Sequence, residues 1–247
     1  MSWWWIALIV IGLAFIICTF LFYGKGFKRV YSFLLSLTAI IVLSPILIIL
    51  TISGFLAFKG HPFFTQLRPG KNKRIFRILK FRTMKTAFDK NGKPLSDGKR
   101  LTAYGRFLRK TSFDELPQLF CILFGKMCFI GPRPLLIRDM VFMTDEENRR
   151  HDVSGGLTGL AQASGRNAID WKEKLKLDVK YTEKITFLGD VKIIFGTVKT
   201  VLTGKGVNED GQATAEDYGD YLLRKGLITK ERYDEGMSTA KRIAEKA

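Results

Sequence analysis

Residues 30–58 read VYSFLLSLTAIIVLSPILIILTISGFLAF, a run with no Asp, Glu, Lys or Arg and with Ser44-Pro45 near its centre. Such a run is long and apolar enough to enter a bilayer. Its proline removes a backbone donor and crowds the preceding turn, which predicts a kink or break near Ser44. Basic residues flank both ends: Lys28 and Arg29 before it, and Lys59, Arg68, Lys71, Lys73 and Arg74 after it. A straight crossing would put one cluster on the face that positive charge avoids. A helix-break-helix hairpin that dips into one leaflet and returns keeps both in the cytosol, and a serine hydroxyl at the bend can satisfy a carbonyl that proline frees. A plain kinked transmembrane helix is the alternative.

Towards the N-terminus, residues 3–23 form a second apolar run, with Trp3, Trp4 and Trp5 at one end and Tyr23 at the other. Length and interfacial aromatics read as a transmembrane anchor. A cleavable signal fits less well, because no positive n-region precedes the run and the apolar stretch is too long. Lys25, Lys28 and Arg29 place its C-terminal end in the cytosol and Met1 outside. The expected organisation is an anchor over 1–24, a re-entrant membrane hairpin over 25–58, a cytosolic catalytic domain over 59–206 and a peripheral helical tail over 207–247. The fold class is membrane-associated α/β, mainly helical with short strands.

Every acidic residue, and every basic one except Lys25, Lys28 and Arg29, falls after Phe58, and the formal net charge is +17. Beside two apolar runs this charge suits an anionic phospholipid surface, where each basic group contributes about 1 kcal/mol. A phosphate-rich substrate would feel the same field. A solvated basic surface is the bland alternative, and nucleic acid is not the expected partner. Cys18, Cys121 and Cys128 show no metal or disulfide spacing and read as reduced thiols. With His61 and His151 the only histidines, the metal to expect is oxygen-ligated Mg²⁺. Neither a phosphate-cradling G-x-x-x-x-G-K-[ST] loop nor a G-x-G-x-x-G fingerprint is present, so ATPase and nicotinamide-enzyme readings lose their usual support.

Within the cytosolic part, FRILKF at 76–81 alternates as a strand, and 89–99 is a polar loop. A helix is predicted over 116–124, with Pro117 in its first turn and Gly125 ending it. Further helices are predicted over 169–184 and 188–202, the latter with an apolar stripe of Val191, Ile194, Phe195, Val198 and Leu202 that suits a core or a membrane face. Residues 218–247 suit one or two amphipathic helices.

The candidate chemistry centres on Asp114-Glu115 in TSFDELPQL, just before or within the first turn of the 116–124 helix. A helix N-terminus favours carboxylates and phosphates alike. One carboxylate could attack phosphorus while its neighbour holds Mg²⁺. Ser112-x-x-Glu115 is also a capping-box pattern, which would explain the same residues structurally. Arg133 stands between Pro132 and Pro134, a preset guanidinium for a phosphate or a rigid turn with a solvated arginine. Lys80 and Arg82 would share a strand face, as phosphate contacts or as the basic decoration of an edge strand. The glycines of 155–159 and of SGRN at 164–167 suit close backbone approach to a nucleotide or a pair of tight turns.

Together the blocks KRVYSF, the central Ser44-Pro45, FFTQLRPG, LKFRTM, TSFDELPQL, GKMCFIGPRPLL, GLTGLAQASGRN and LDVKY resemble, in order from about residue 27 to 206, the bacterial sugar transferases, the monotopic phosphoglycosyl transferases. The resemblance implies the re-entrant hairpin, Asp114 as nucleophile on the β-phosphorus of a UDP-sugar, and Glu115 as the Mg²⁺ partner. It also implies Arg133 as a phosphate or nucleotide contact. Lys80, Arg82, Arg109, Arg166 and Asp178 match family blocks. The implied reaction releases UMP and passes a sugar phosphate to undecaprenyl phosphate, on the cytoplasmic face of the bacterial inner membrane, with downstream glycosyltransferases as possible partners. The short form of the match leans towards an N-acetylated or diacetamido sugar. The anchor and the tail lie outside the resemblance. A catalytically idle membrane scaffold and a membrane phosphohydrolase are the competing readings.

Overall fold

The computed structural model describes residues 3–93, 95–165, 169–202 and 216–247. Two helices, α1 (Trp4–Phe22) and α2 (Phe27–Ala57), follow one another across a 3-10 turn at Tyr23–Lys25. Both are long and apolar enough to cross a membrane. α1 is exposed on almost every face, with Thr19 its one buried residue. α2 instead buries Lys28, Ser32, Ser36, Leu47, Leu50 and Gly54. Between these, Ala39, Ile40 and Leu43 pack on a cluster of Ile78, Leu119 and Ile122. Steps of three or four residues keep the whole set on one helical face. Described residues from later in the chain therefore pack against α2 from Lys28 to Gly54.

α2 runs through Pro45 as one helix, not as the two helices that the proline suggested. Pro45 has no N–H for the Ile41 carbonyl, and Ser44 Oγ donates to that carbonyl at 2.8 Å. The orphaned acceptor is thus satisfied from within the helix, which is why the element survives its proline. At the far end, the Tyr104 hydroxyl donates to the Leu50 carbonyl at 2.8 Å.

The strands β1 (Phe63–Pro69) and β2 (Ile75–Phe81) form an antiparallel hairpin in which Phe63 faces Phe81 and Phe64 faces Lys80. α3 (Asp97–Arg100) sits in the polar excursion, and α4 (Ala103–Thr111) is capped by Thr102, whose Oγ1 accepts from the Gly105 N–H at 2.9 Å. A 3-10 turn at Phe113–Glu115 leads to α5 (Gln118–Leu123), shorter than the helix predicted over 116–124. Gly125, at φ +80°, ends it, and Arg29 of α2 donates to the carbonyls of Ile122 and Leu123. A guanidinium at a helix C-terminus meets the last free carbonyls and the negative end of the dipole.

There follow β3 (Cys128–Ile130), α6 (Ile137–Met140), α7 (Asp145–Asn148) and β4 (Gly156–Thr158), with β3 and β4 parallel. The chain continues with α8 (Leu160–Ser164), α9 (Trp171–Glu183), α10 (Phe187–Leu202), α11 (Tyr218–Arg224) and α12 (Lys230–Glu245). The result is mostly helical with short strands, as expected. Ile194, Phe195 and Val198 of the predicted α10 stripe face outward, while Asp190 and Ile193 are buried. Cys121 and Cys128 are buried free thiols.

Over residues 216–247 the tail is packed into the fold and not peripheral. Tyr218, Tyr221 and Leu222 share a buried cluster with Phe142, Met143 and Leu175, and Ala240 packs on Ile137 and Met140. Gly219 and Gly236 stand against the Phe142 ring so closely that a Cβ on either would collide with it. The sequence pattern missed this because the partners lie in another element, far away along the chain.

Candidate active site

Asp114 and Glu115 lie in the 3-10 turn between α4 and α5. Ser112, before them, is left-handed at φ +58° and makes no side-chain cap. The capping-box explanation of Ser112 and Glu115 is therefore not realised. Glu115 turns instead to two cations: Lys80 Nζ from β2 donates to Oε1 at 2.8 Å, and Arg133 grips both oxygens, reaching Oε2 at 3.0 Å. Burial alone would raise the Glu115 pKa, but Arg133 and then Lys80 hold the carboxyl far below the usual range. Burial lowers Lys80, against the opposing pull of Glu115.

Asp114 differs in kind from its neighbour. Burial, and next the charge of Glu115, push its pKa up, while Lys80, Arg133 and Arg109 draw it back. It accepts no hydrogen bond from any described residue. Two adjacent carboxylates thus have separate states, one pinned by cations and one left available. Environments that split a pair in this way suit division of labour between them. Glu115 Oε2 keeps a second lone pair beyond the Arg133 contact, so this carboxylate and Asp114 fit a Mg²⁺ held with few protein ligands and completed by substrate phosphates. Among the described residues no group of three or more His, Cys, Asp or Glu side chains converges, at this pair or at any other place.

The loop that presents Arg133 is fixed by glycines at close quarters. Gly131 N–H donates to the Thr158 carbonyl at 2.8 Å and Gly156 N–H to the Pro132 carbonyl at 3.0 Å. A Cβ at Gly131, Gly155, Gly156 or Gly159 would strike backbone or proline atoms of the facing segment. The glycines of 155–159 therefore bring chain against chain rather than serving two tight turns, and Pro132 and Pro134 are buried in the contact.

Other expected residues are spread more widely. Arg109 Nε donates to Thr83 Oγ1 at 3.2 Å and acts on Asp114 through space. Arg82 lies one residue past β2, its N–H bonded to the Pro62 carbonyl at 2.8 Å, and its side chain joins no hydrogen bond to the Asp114-Glu115 pair. Asp178 is 2% exposed and meets Arg150, not the open site, so it is a poor candidate for direct substrate contact. Arg166 lies outside the described residues. The sequence reading missed Arg150 and Arg68. Arg68 sits within electrostatic range of Arg133 and Glu115, and burial and then Arg133 lower its pKa to about 10. Its signal was the FFTQLRPG block itself.

A half-buried Asp-Glu pair ringed by Lys80, Arg109 and Arg133, beside helices fit for a membrane, has the charge pattern that suits group transfer on phosphates. The bacterial sugar transferase family matches residues 23–204, and the chain belongs to that family. It is 43% identical over 189 residues to an uncharacterized sugar transferase, EpsL, of Bacillus subtilis, a match that covers 75% of this chain and 94% of that protein. It is 34% identical over 205 residues to an undecaprenyl-phosphate galactose phosphotransferase of Salmonella typhimurium, covering 74% and 42% respectively. Over 188 residues it is 37% identical to a UDP-glucose:undecaprenyl-phosphate glucose-1-phosphate transferase of Klebsiella pneumoniae, covering 70% and 39%. The chain thus spans nearly all of the first relative and about two fifths of the other two. It is a transferase of polysaccharide synthesis.

Proposed function

We propose that the protein transfers a sugar 1-phosphate from a UDP-sugar to undecaprenyl phosphate at the cytoplasmic face of the bacterial inner membrane, through a covalent intermediate on Asp114. The observation that carries this reading is the contrast between Glu115, engaged by Arg133 and Lys80, and the adjacent Asp114, left without a hydrogen bond from the described residues. The Asp114 carboxylate attacks the β-phosphorus, the bond to the bridging oxygen breaks, and UMP departs with that electron pair. An oxygen of the lipid phosphate then attacks the same phosphorus and frees the aspartate carboxylate, leaving a polyprenyl diphosphate sugar. Lys80, Arg109 and Arg133 hold and neutralise the donor phosphates. Mg²⁺ held by Glu115 with Asp114 would neutralise charge on the diphosphate. Ping-pong kinetics follow from the two half-reactions.

The packing of one face of α2 against later elements along its length supports a re-entrant placement of this segment, with residues 59–206 as a cytosolic domain. A helix that meets the same domain at Lys28, at Ile40 and at Leu50 suits a segment that enters and leaves the bilayer on one side. An apolar cavity of about 350 Å³, lined in part by Ser44, Leu47, Phe63, Phe81, Pro117 and Phe120, opens beside Ser44 and includes Pro117, two residues along the chain from Glu115. It suits the first isoprene units of the acceptor. The exposed α1 and the outward face of α10 suit the acyl region of the bilayer, and the basic surface suits its anionic headgroups.

Mass spectrometry of donor-treated protein should find a phosphosugar on Asp114, with UMP released from a UDP-sugar in the presence of Mg²⁺ and polyprenyl phosphate. Asp114→Asn should abolish both. Turnover by that variant would end the proposal. Labelling of cysteines placed at the exposed Lys25 and Lys59 should occur from one side only, and opposite-side labelling would exclude the hairpin.

A further inference from the structure

Arg150 lies in a 3-10 turn at Arg149–His151 and is 2% exposed, among the largest fully buried side chains described. Its guanidinium is divided between two acceptors. Nε and one terminal nitrogen donate to Asp178 Oδ2 at 3.1 and 2.7 Å, and that terminal nitrogen also donates to the Arg133 carbonyl at 2.6 Å. Asp178, on α9, is equally buried.

The carbonyl in question belongs to a segment with few ways to be held. Pro132 and Pro134 have no N–H to donate, so Pro132-Arg133-Pro134 is fixed mainly through its acceptors. Gly156 N–H takes the Pro132 carbonyl at 3.0 Å and Arg150 takes the next one. From Arg133 the side chain runs to both oxygens of Glu115. A continuous line thus links α9, the Arg150 turn, the Pro-Arg-Pro backbone and the reacting pair.

We propose that Arg150, oriented by Asp178, is a positioning residue that sets where the Arg133 guanidinium stands, and so sets donor-diphosphate binding in particular. This rests on the proposed donor reaction, in which Arg133 receives the diphosphate. It assigns Asp178 to the support of Arg150 and not to contact with substrate. Lysine at position 150 keeps the charge but presents a single nitrogen, so it cannot bring two nitrogens to Asp178 Oδ2 and hold the carbonyl in the same planar geometry. A displacement on the order of 1 Å at a phosphate clamp can cost as much as 10²-fold in rate.

The test compares full-length Arg150→Lys and Asp178→Asn with the parent in the same lipid nanodiscs, by calorimetric titration with UDP and by steady-state kinetics for both substrates. The expected result is UDP affinity weakened about tenfold or more and donor KM raised in parallel, with acceptor KM unchanged and the thermal unfolding transition retained. Parent-like UDP affinity in folded Arg150→Lys would overturn the proposal, whatever the turnover shows. Equal rises in both KM values with a collapsed unfolding transition would also overturn it, marking the residue as a general core support. If the parent binds UDP and Arg150→Lys does not, yet no phosphosugar adduct forms on Asp114, the covalent reaction falls and the positioning role stands.

Discussion

α1 and α2 are neighbours of similar apolar character, and the fold treats them in opposite ways. α1 buries only Thr19, whose hydroxyl meets that of Tyr31 on α2 at 3.1 Å, and it reaches the later part of the chain through the Phe20 ring against Phe187. α2 turns Lys28, Ser32, Ser36, Leu47, Leu50 and Gly54 inward along its whole length. Apolar composition shows that a helix prefers lipid or a core, but not which faces it gives to each. Small and polar residues at steps of three or four make the difference, because they let one face approach protein while the other keeps its aliphatic side chains.

The sharpest way to break this contrast is a charge on the inward face. Leu47→Asp, set among Leu50, Phe81 and Leu108, should cost 3 kcal/mol or more (~ the cost of burying an unpaired carboxylate) and abolish cooperative unfolding in detergent, whereas Leu13→Asp on α1 should leave the domain's transition intact. Next in size is Ser44→Ala, which leaves the Ile41 carbonyl unpaired beside Pro45 and should lower stability by about 1–2 kcal/mol in a thermal or denaturant series. Smaller again is a shift in pH dependence. In the proposed reaction Asp114 must be ionised to attack, and its raised pKa should put the acid limb of adduct formation above the range of an ordinary carboxylate. Arg109 lowers that pKa, so Arg109→Ala should move the limb to higher pH in a rate–pH profile. The sign for stability is opposite: the folded state holds the Asp114 proton more tightly than the unfolded chain, so its contribution falls as pH rises from the ordinary aspartate value to the folded one. The smallest effect is expected from removing residues 1–22, which should loosen membrane attachment in flotation assays yet leave adduct formation in detergent unchanged.

Much of this was legible where the signal is local. Helical period located α9 and α10, alternation located β2, and Pro117 and Gly125 bracketed α5 closely. Asp114, Glu115, Lys80 and Arg133 could be picked out because their residue types and neighbours restrict what they can do. What stayed hidden depends on partners remote in sequence. Nothing near Phe142 announces that it fills a gap between Gly219 and Gly236. Ser112 reads as a cap, and only its left-handed backbone at the end of α4 removes it from that role. Arg150 in NRRH carries no local signal, and only its depth reveals two fixed acceptors. The glycines of 155–159 pointed to close approach, but the sequence could not say that the other surface is Gly131-Pro132 and not a ligand.

The inward stripe of α2 has a kinetic consequence. If the proposed reaction and placement hold, the enzyme works on a plane, and its lipid acceptor arrives by lateral diffusion while the water-soluble donor arrives from bulk. The quantity that saturates the second half-reaction is then a mole fraction in the lipid, not a molarity. Diluting the acceptor with inert phospholipid at constant total amount should slow turnover as if substrate had been withdrawn.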